Sequence, residues 1–284
     1  MTHLVHFHRD IPELRRGEIA VVMTMGALHN GHAELMRVAR ECVGPDGTVI
    51  VTVFVNPTQF GAGEDFTKYP RTIDADFRIC EANDVDIVYA PEALDVYGTA
   101  NMAELAESEM IDAGSVGLIL EGASRPGHFR GMLTVVRRLQ YLTGAHFAMF
   151  GEKDYQQLVL VTLMFAEREV PVQVVPVPTV RETDGLALSS RNRYLSAPER
   201  AQAALIPQAV AAAVAAAQYG ERAAVAAGLA VLHKEPEIKV DYFVVTAPDL
   251  GPAPASGRAR VIIAVRIGAT RLLDNASCEL GAPA

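Results

Sequence analysis

The stretch Met25-Gly-Ala-Leu-His-Asn-Gly-His32 has the residue types and spacing to hold a phosphate. It follows an apolar β-branched run, Ile19 to Met25, and leads into a helical pattern, His32 to Val43. Gly26 and Gly31 permit a tight turn and a close backbone approach to a ligand. A helix start offers backbone N–H groups and the positive end of its dipole, which suits an anion. His29 and His32 add donors, and a protonated imidazole can neutralise developing charge. A bare strand–turn–helix with surface histidines is the plain alternative. It is weakened by two histidines around one glycine at a helix start. A metal role for the pair lacks a third His or a carboxylate nearby in sequence.

Four further clusters recur at similar places. Phe54-Val-Asn-Pro-Thr-Gln-Phe-Gly61 ends a second apolar strand and sets Asn56 and Gln59 beyond it. Ligands of open α/β sheets bind beyond the carboxyl ends of strands, where two such amides can grip a polar substrate. Gly151-Glu-Lys-Asp154 again joins a strand to a helix, and Lys153 brings a point charge suited to phosphate. Gln157 follows one turn later on that helix. Leu188-Ser-Ser-Arg-Asn-Arg193 offers two hydroxyls and guanidinium groups, the parts of a phosphate clamp. Arg125-Pro-Gly-His128 is a turn before a helix with possible ligand contacts. No G-x-S-x-G elbow surrounds Ser189 or Ser190, so neither reads as a nucleophile. The absence of GxxxxGK[ST] and GxGxxG disfavours a P-loop ATPase and a Rossmann dehydrogenase.

These turns need a scaffold, and the apolar pattern provides one. Ile19–Met25, Thr48–Val55, Ile87–Ala90, His146–Phe150 and Val172–Val177 read as strands. Between them, His32–Val43, Thr72–Asn83, Gly131–Leu142 and Asp154–Glu169 read as helices. Strands apolar throughout and separated by helices predict an α/β fold, a parallel sheet covered on both faces. The pattern changes after about Val180. Ala197–Tyr219 is a helix that Pro207 must kink or divide, and Glu221–His233 is another. Val240–Thr246, Arg260–Ile267 and Arg271–Asp274 are strands, with Pro248–Gly257 a loop. This predicts a smaller α+β domain and a division into residues 1–181 and 182–284.

Half the residues are hydrophobic and 21% are charged, which excludes global disorder. The net charge of −9 excludes a general nucleic-acid binder. It is unevenly spread: residues 1–180 hold 14 basic and 24 acidic side chains, the remainder 11 and 10. Arg181, Arg191 and Arg193 lie in the near-neutral part, which is expected to close over phosphate as a lid. Cys42, Cys80 and Cys278 form no CxxC pair, so neither a disulfide framework nor a Cys-rich zinc site is expected. That usage suits a reducing cytoplasm. The first ten residues do not read as a signal peptide. The Ala-rich run near 209–217 is too short to span a bilayer. A soluble protein with no membrane partner is expected.

With these residues in place, the chain resembles the pantoate–β-alanine ligase family, within the HxGH nucleotidylyl-transferase superfamily. The likeness covers nearly the whole chain. It rests on MTMGALHNGH, VFVNPTQFG, DFTKYPRT, GHFRGMLTVV, FGEKDYQQL, VPTVRETDGLALSSRNRYLS and TRLLDNA. HxGH alone indicates only the superfamily, whereas FGEKDYQQL and DGLALSSRNRYLS are far more specific. The resemblance implies that pantoate and β-alanine are joined at the expense of ATP through a pantoyl adenylate, giving AMP and pyrophosphate. It implies a Rossmann-like N-terminal domain, a C-terminal lid, Mg²⁺ and a homodimer.

By the same resemblance, Met25, Gly26, Ala27, Leu28, His29, Asn30, Gly31 and His32 bind ATP. So do Gly151, Glu152, Lys153, Asp154, Val180, Leu188, Ser189, Ser190 and Arg191. His29, His32, Lys153, Ser190 and Arg191 are the expected catalytic groups, with His32 the proton donor. Gln59 and Gln157 are expected to hold pantoate, with Asn56 and Met25 beside them. Asp76 matches a residue near the metal. The chain departs from the family in Met23, where Pro is usual, and in Ala75, where an acid is common. Two rivals are a different HxGH transferase, which would release a nucleotidylated phosphate ester, and a non-catalytic nucleotide-binding module.

Overall fold

The computed structural model describes residues 1–61, 66–67, 69–101, 105 and 107–281. Asp65 and Lys68 of the DFTKYPRT string lie outside them. The chain divides into two compact units. Unit 1 comprises residues 1–152 and 156–178, and unit 2 comprises 153–155 and 179–284.

Unit 1 is built on six parallel strands: β1 (His3–Val5), β2 (Ile19–Thr24), β3 (Thr48–Val53), β4 (Ile87–Tyr89), β5 (Phe147–Gly151) and β6 (Gln173–Val177). Their order is β1-β4-β3-β2-β5-β6, every neighbouring pair parallel. The chain builds outward from β2 to β4, then returns to the other side of β2 for β5 and β6. The strand order therefore reverses between β2 and β5, where open α/β sheets bind ligands beyond the strand ends. Helices α1 (Asn30–Val43), α2 (Ile73–Glu81), α3 (Ala93–Tyr97), α4 (Glu121–Ser124), α5 (His128–Thr143) and α6 (Tyr155–Glu167) connect the strands. Ala20, Val22, Val49, Val51, Val88 and Met149 form one core with Met36 and Ala39 of α1 and Cys80 of α2. Alternation along a strand turns Val21, Ile50 and Ile87 to the opposite face, where they are also wholly buried. Both faces of the sheet are covered, as the continuous apolar runs predicted.

Unit 2 holds α7 (Ala197–Ala203), α8 (Leu205–Ala216) and α9 (Glu221–Leu232), with an antiparallel sheet β7-β8-β9. The strands span Lys239–Thr246, Gly257–Ile267 and Thr270–Leu280. The long helical stretch divides at Ala204. Pro207 cannot donate to the Ala203 carbonyl, and in an unbroken helix its ring would clash with it. As third residue of α8 its missing N–H falls in a first turn, where no intrahelical partner exists. By length and composition Ala197–Tyr219 could cross a membrane. Here Ile206, Ala209, Val210 and Ala213 instead pack into one core with Val261, Ile263, Val265 and Ile267 of the sheet.

Candidate active site

The turn after β2 is held from three sides. Thr24 Oγ1 accepts the Gly26 N–H at 3.1 Å. Asp76, on α2 and only 1% exposed, accepts the Leu28 N–H at 2.8 Å through Oδ1 and the Ala27 N–H at 3.1 Å through Oδ2. Thr72 Oγ1 donates to the same Oδ2 at 3.1 Å. Gly26 has φ +85°, and a Cβ there would stand 2.9 Å from Asp76 Oδ2. Glycine is thus required both by conformation and by the carboxylate's approach. Ala27 also lies in the left-handed region, φ +52°, at a cost of about 1 kcal/mol that the Asp76 bond helps to hold.

His29 is the N-cap of α1 and accepts the Gly31 N–H at Nδ1, 3.1 Å. His32 Nδ1 accepts the His29 N–H at 3.2 Å, completing a reciprocal capping box built from two imidazoles. The rings lie 4.1 Å apart between centroids. With Nδ1 the acceptor in each, the proton of the neutral ring belongs on Nε2. The amides of His29 and Gly31 are thereby satisfied within the turn.

Beyond β3, Asn56 and Gln59 are both buried. Asn56 Nδ2 donates to Gln59 Oε1 at 3.1 Å and to the Gly131 carbonyl at 3.2 Å. Gln59 Nε2 lies 3.0 Å from Met25 Sδ, which joins three of the expected substrate residues. Gly131 allows α5 to reach this loop, because a Cβ there would fall on the Thr58 carbonyl oxygen. The Arg125–His128 turn acquires a definite part. Arg125 Nη1 donates to His128 Nε2 at 3.0 Å, and His128 Nδ1–H then donates to the Gln59 carbonyl at 2.9 Å. Gln157 is partly buried on α6. Its neighbour Gln156 has a structural role, bonding Glu121 N–H and the carbonyls of Val116 and Ile119.

Within unit 2, Leu188 N–H donates to the Val180 carbonyl at 2.9 Å. Ser189 caps the short 3₁₀ turn Ser190–Tyr194 by accepting the Arg191 N–H at 3.2 Å. The Lys153–Tyr155 segment is pinned by the sheet. Asn275 Nδ2 donates to the Lys153 carbonyl at 3.0 Å. Arg260 Nε donates to Asn275 Oδ1 at 2.8 Å, and its guanidinium lies 3.7 Å from the centre of the Tyr155 ring. Tyr155 Oη donates to the Pro248 carbonyl at 2.8 Å. Lys153 Nζ stands 3.4 Å from the exposed Asp154 carboxylate. Arg181, expected to add positive charge over phosphate, forms a two-pronged pair with the fully buried Asp274, both bonds 2.8 Å. Arg191 and Arg193 form no ion pair among the described residues.

A family model described as Pantoate-beta-alanine ligase matches residues 2–277. The chain is 48% identical to the pantothenate synthetase of Salinispora arenicola over 286 residues, covering 99% of each chain. The chain belongs to the pantoate–β-alanine ligase family. The pantothenate synthetase of Thermus thermophilus shares its fold with a TM-score of 0.88 at 41% identity, covering 97% of this chain and 99% of that one. The ligase of Francisella tularensis, described as complexed with β-γ ATP and β-alanine, gives a TM-score of 0.77 at 31% identity, covering 97% of each chain. This pantoate–β-alanine ligase therefore joins pantoate to β-alanine with ATP.

The two departures from the family pattern sit quietly in the ligase. Met23 pairs in register with Thr52 inside the β2–β3 ladder, and Ala75 occupies the exposed face of α2 next to buried Asp76. Both oxygens of Asp76 are engaged by protein donors. Among the described residues no group of three or more His, Cys, Asp or Glu side chains could hold a metal. Sequence reading missed Asn275, Arg260 and Tyr155 as supports of Lys153. The TRLLDNA string did contain Asn275, but its partner lies 122 positions away.

Proposed function

We propose that this ligase works through a pantoyl adenylate. In the first step a pantoate carboxylate oxygen bonds to the α-phosphorus of ATP, and the bond to the bridging oxygen of the β-phosphate breaks. Pyrophosphate leaves with that electron pair. In the second step the amine of β-alanine attacks the acyl carbon, an amide forms, the amine gives up a proton, and AMP leaves. Without the first step the leaving group would be oxide. No side chain need become covalently attached.

The capped histidine pair carries this reading. Two imidazoles fixed through Nδ1 on one rigid turn suit charge that grows as pyrophosphate departs. Lys153, Ser190 and Arg191 are assigned to the same charge, and Met25–Leu28, Asn30, Gly31, Gly151, Glu152, Asp154, Val180, Leu188 and Ser189 to the rest of the nucleotide. Gln59 and Gln157 orient pantoate against the α-phosphorus, with Asn56 and Met25 in support. Mg²⁺, where bound with the nucleotide, would offset triphosphate charge, and Asp76 anchors the turn that carries the histidines. A homodimer in the cytoplasm completes the proposal; three free cysteines suit that compartment.

His32→Ala and Lys153→Ala are each expected to cut pantoate-dependent pyrophosphate exchange into ATP by at least ~100-fold, the scale of losing one preorganised donor. Near wild-type exchange in both variants would overturn these assignments.

A further inference from the structure

We infer that Tyr97, by donating to Asn56, holds in place the amide that turns the NH₂ end of Gln59 toward the ligand, so that Gln59 meets pantoate as a hydrogen-bond donor. The inference rests on the reading that Gln59 contacts pantoate. Tyr97 Oη lies 2.7 Å from Asn56 Oδ1. Thr58 reaches the same atom twice, from Oγ1 at 3.0 Å and from its N–H at 3.3 Å. The Thr58 N–H can only donate, so the end of Asn56 that it meets is the oxygen, and the two hydroxyls donate to it as well. Its nitrogen then points the other way, toward the Gly131 carbonyl and Gln59 Oε1. A donor at Asn56 demands an acceptor from Gln59, and the opposite end of Gln59 is therefore its NH₂.

That NH₂ lies beside Met25 Sδ, a weak acceptor. Pantoate, with a carboxylate and hydroxyls, offers stronger ones. Asn56 is 1% exposed and Tyr97 5%, so water does not compete for these bonds. Burial pushes the Tyr97 phenol up to about 12, against the opposing pulls of Thr58 and Arg138. The hydroxyl thus stays protonated at any ordinary assay pH. Tyr97 is a positioning residue: it orients Gln59 from two hydrogen bonds away.

The test compares Tyr97→Phe, Gln59→Ala and the double variant in the exchange assay, with thermal unfolding as a control. Losing one buried hydrogen bond of about 1 kcal/mol corresponds to roughly a 5-fold change. Tyr97→Phe is expected to raise the KM for pantoate about 5-fold and leave the KM for ATP within about twofold. In the Gln59→Ala background it should change the pantoate KM less than about twofold, because its effect runs through Gln59. If Gln59→Ala raises the pantoate KM and Tyr97→Phe does not, the relay is refuted while the pantoate reading stands. If neither moves it, the assignment of Gln59 falls and takes the relay with it. Additive effects in the double variant, or equal changes in both KM values, make Tyr97 merely structural and overturn the inference. Should Tyr97→Phe fail to fold, Thr58→Val removes another hydroxyl from Asn56 Oδ1 and is read against the same outcomes.

Discussion

Asp76→Asn separates two roles for one carboxylate. The substitution keeps size and shape but gives the side chain one oxygen and one NH₂. Whichever way that amide turns, the NH₂ faces either the Leu28 or the Ala27 N–H, donor against donor. One charge-assisted bond at a buried site is lost, worth about 2–3 kcal/mol. Ala27, at φ +52°, also loses part of what holds its left-handed backbone, about 1 kcal/mol more. A total near 3–4 kcal/mol leaves the chain folded, since domains have about 5–15 kcal/mol in hand. At about 2–4 °C per kcal/mol, Tm should fall by roughly 6–16 °C. The turn carrying His29 and His32 should shift, and a displacement of about 1 Å can cost 100-fold in rate. Thermal unfolding and pyrophosphate exchange, each run over a Mg²⁺ titration, measure both effects. A wild-type Tm with exchange restored by raised Mg²⁺ would refute the reasoning and make Asp76 a cation ligand.

Asn275→Ala should lower kcat for exchange by roughly 10- to 100-fold through a misplaced Lys153, with the pantoate KM unchanged; an unaltered kcat would show that Lys153 is held by other means. A pH effect is expected at Asp95. Burial raises this carboxyl, but bonds from Tyr89 Oη and from the backbone and ring of His8 outweigh burial and hold it below its ordinary value. Its contribution to stability is complete above about pH 4 and is lost as pH falls through the lower folded value. Thermal unfolding from pH 7 to pH 3 should therefore show a shallower acid loss in Asp95→Asn than in the parent; an identical slope would contradict this.

The sheet was legible because its strands are buried on both faces and read as apolar runs that no helix period explains. β1 was not, since His3-Leu-Val5 is three residues long with two of them exposed, too short to carry a period. β9 runs on to Leu280, well past the predicted end at Asp274, because the polar Asn275 and the mixed residues after it carry no apolar run. Asp274 and Asn275 are buried in the strand, one paired with Arg181 and the other bonded to Lys153 and Arg260. The histidines, Gln59 and Lys153 could be picked out by type and by their place after strands. Their supports could not. Asp76 binds an amide 49 residues away and Tyr97 an amide 41 residues away, and local sequence contains no trace of such pairings. The same limit explains Arg181: its charge was visible, its partner was not.

The most direct test of the adenylate mechanism is exchange of labelled pyrophosphate into ATP with pantoate present and β-alanine omitted. Exchange that requires pantoate, proceeds without β-alanine, and gives way to AMP release at the turnover rate once β-alanine is added is the expected result. Exchange that needs β-alanine, or that runs without pantoate, would contradict a pantoyl adenylate formed before the amine reacts.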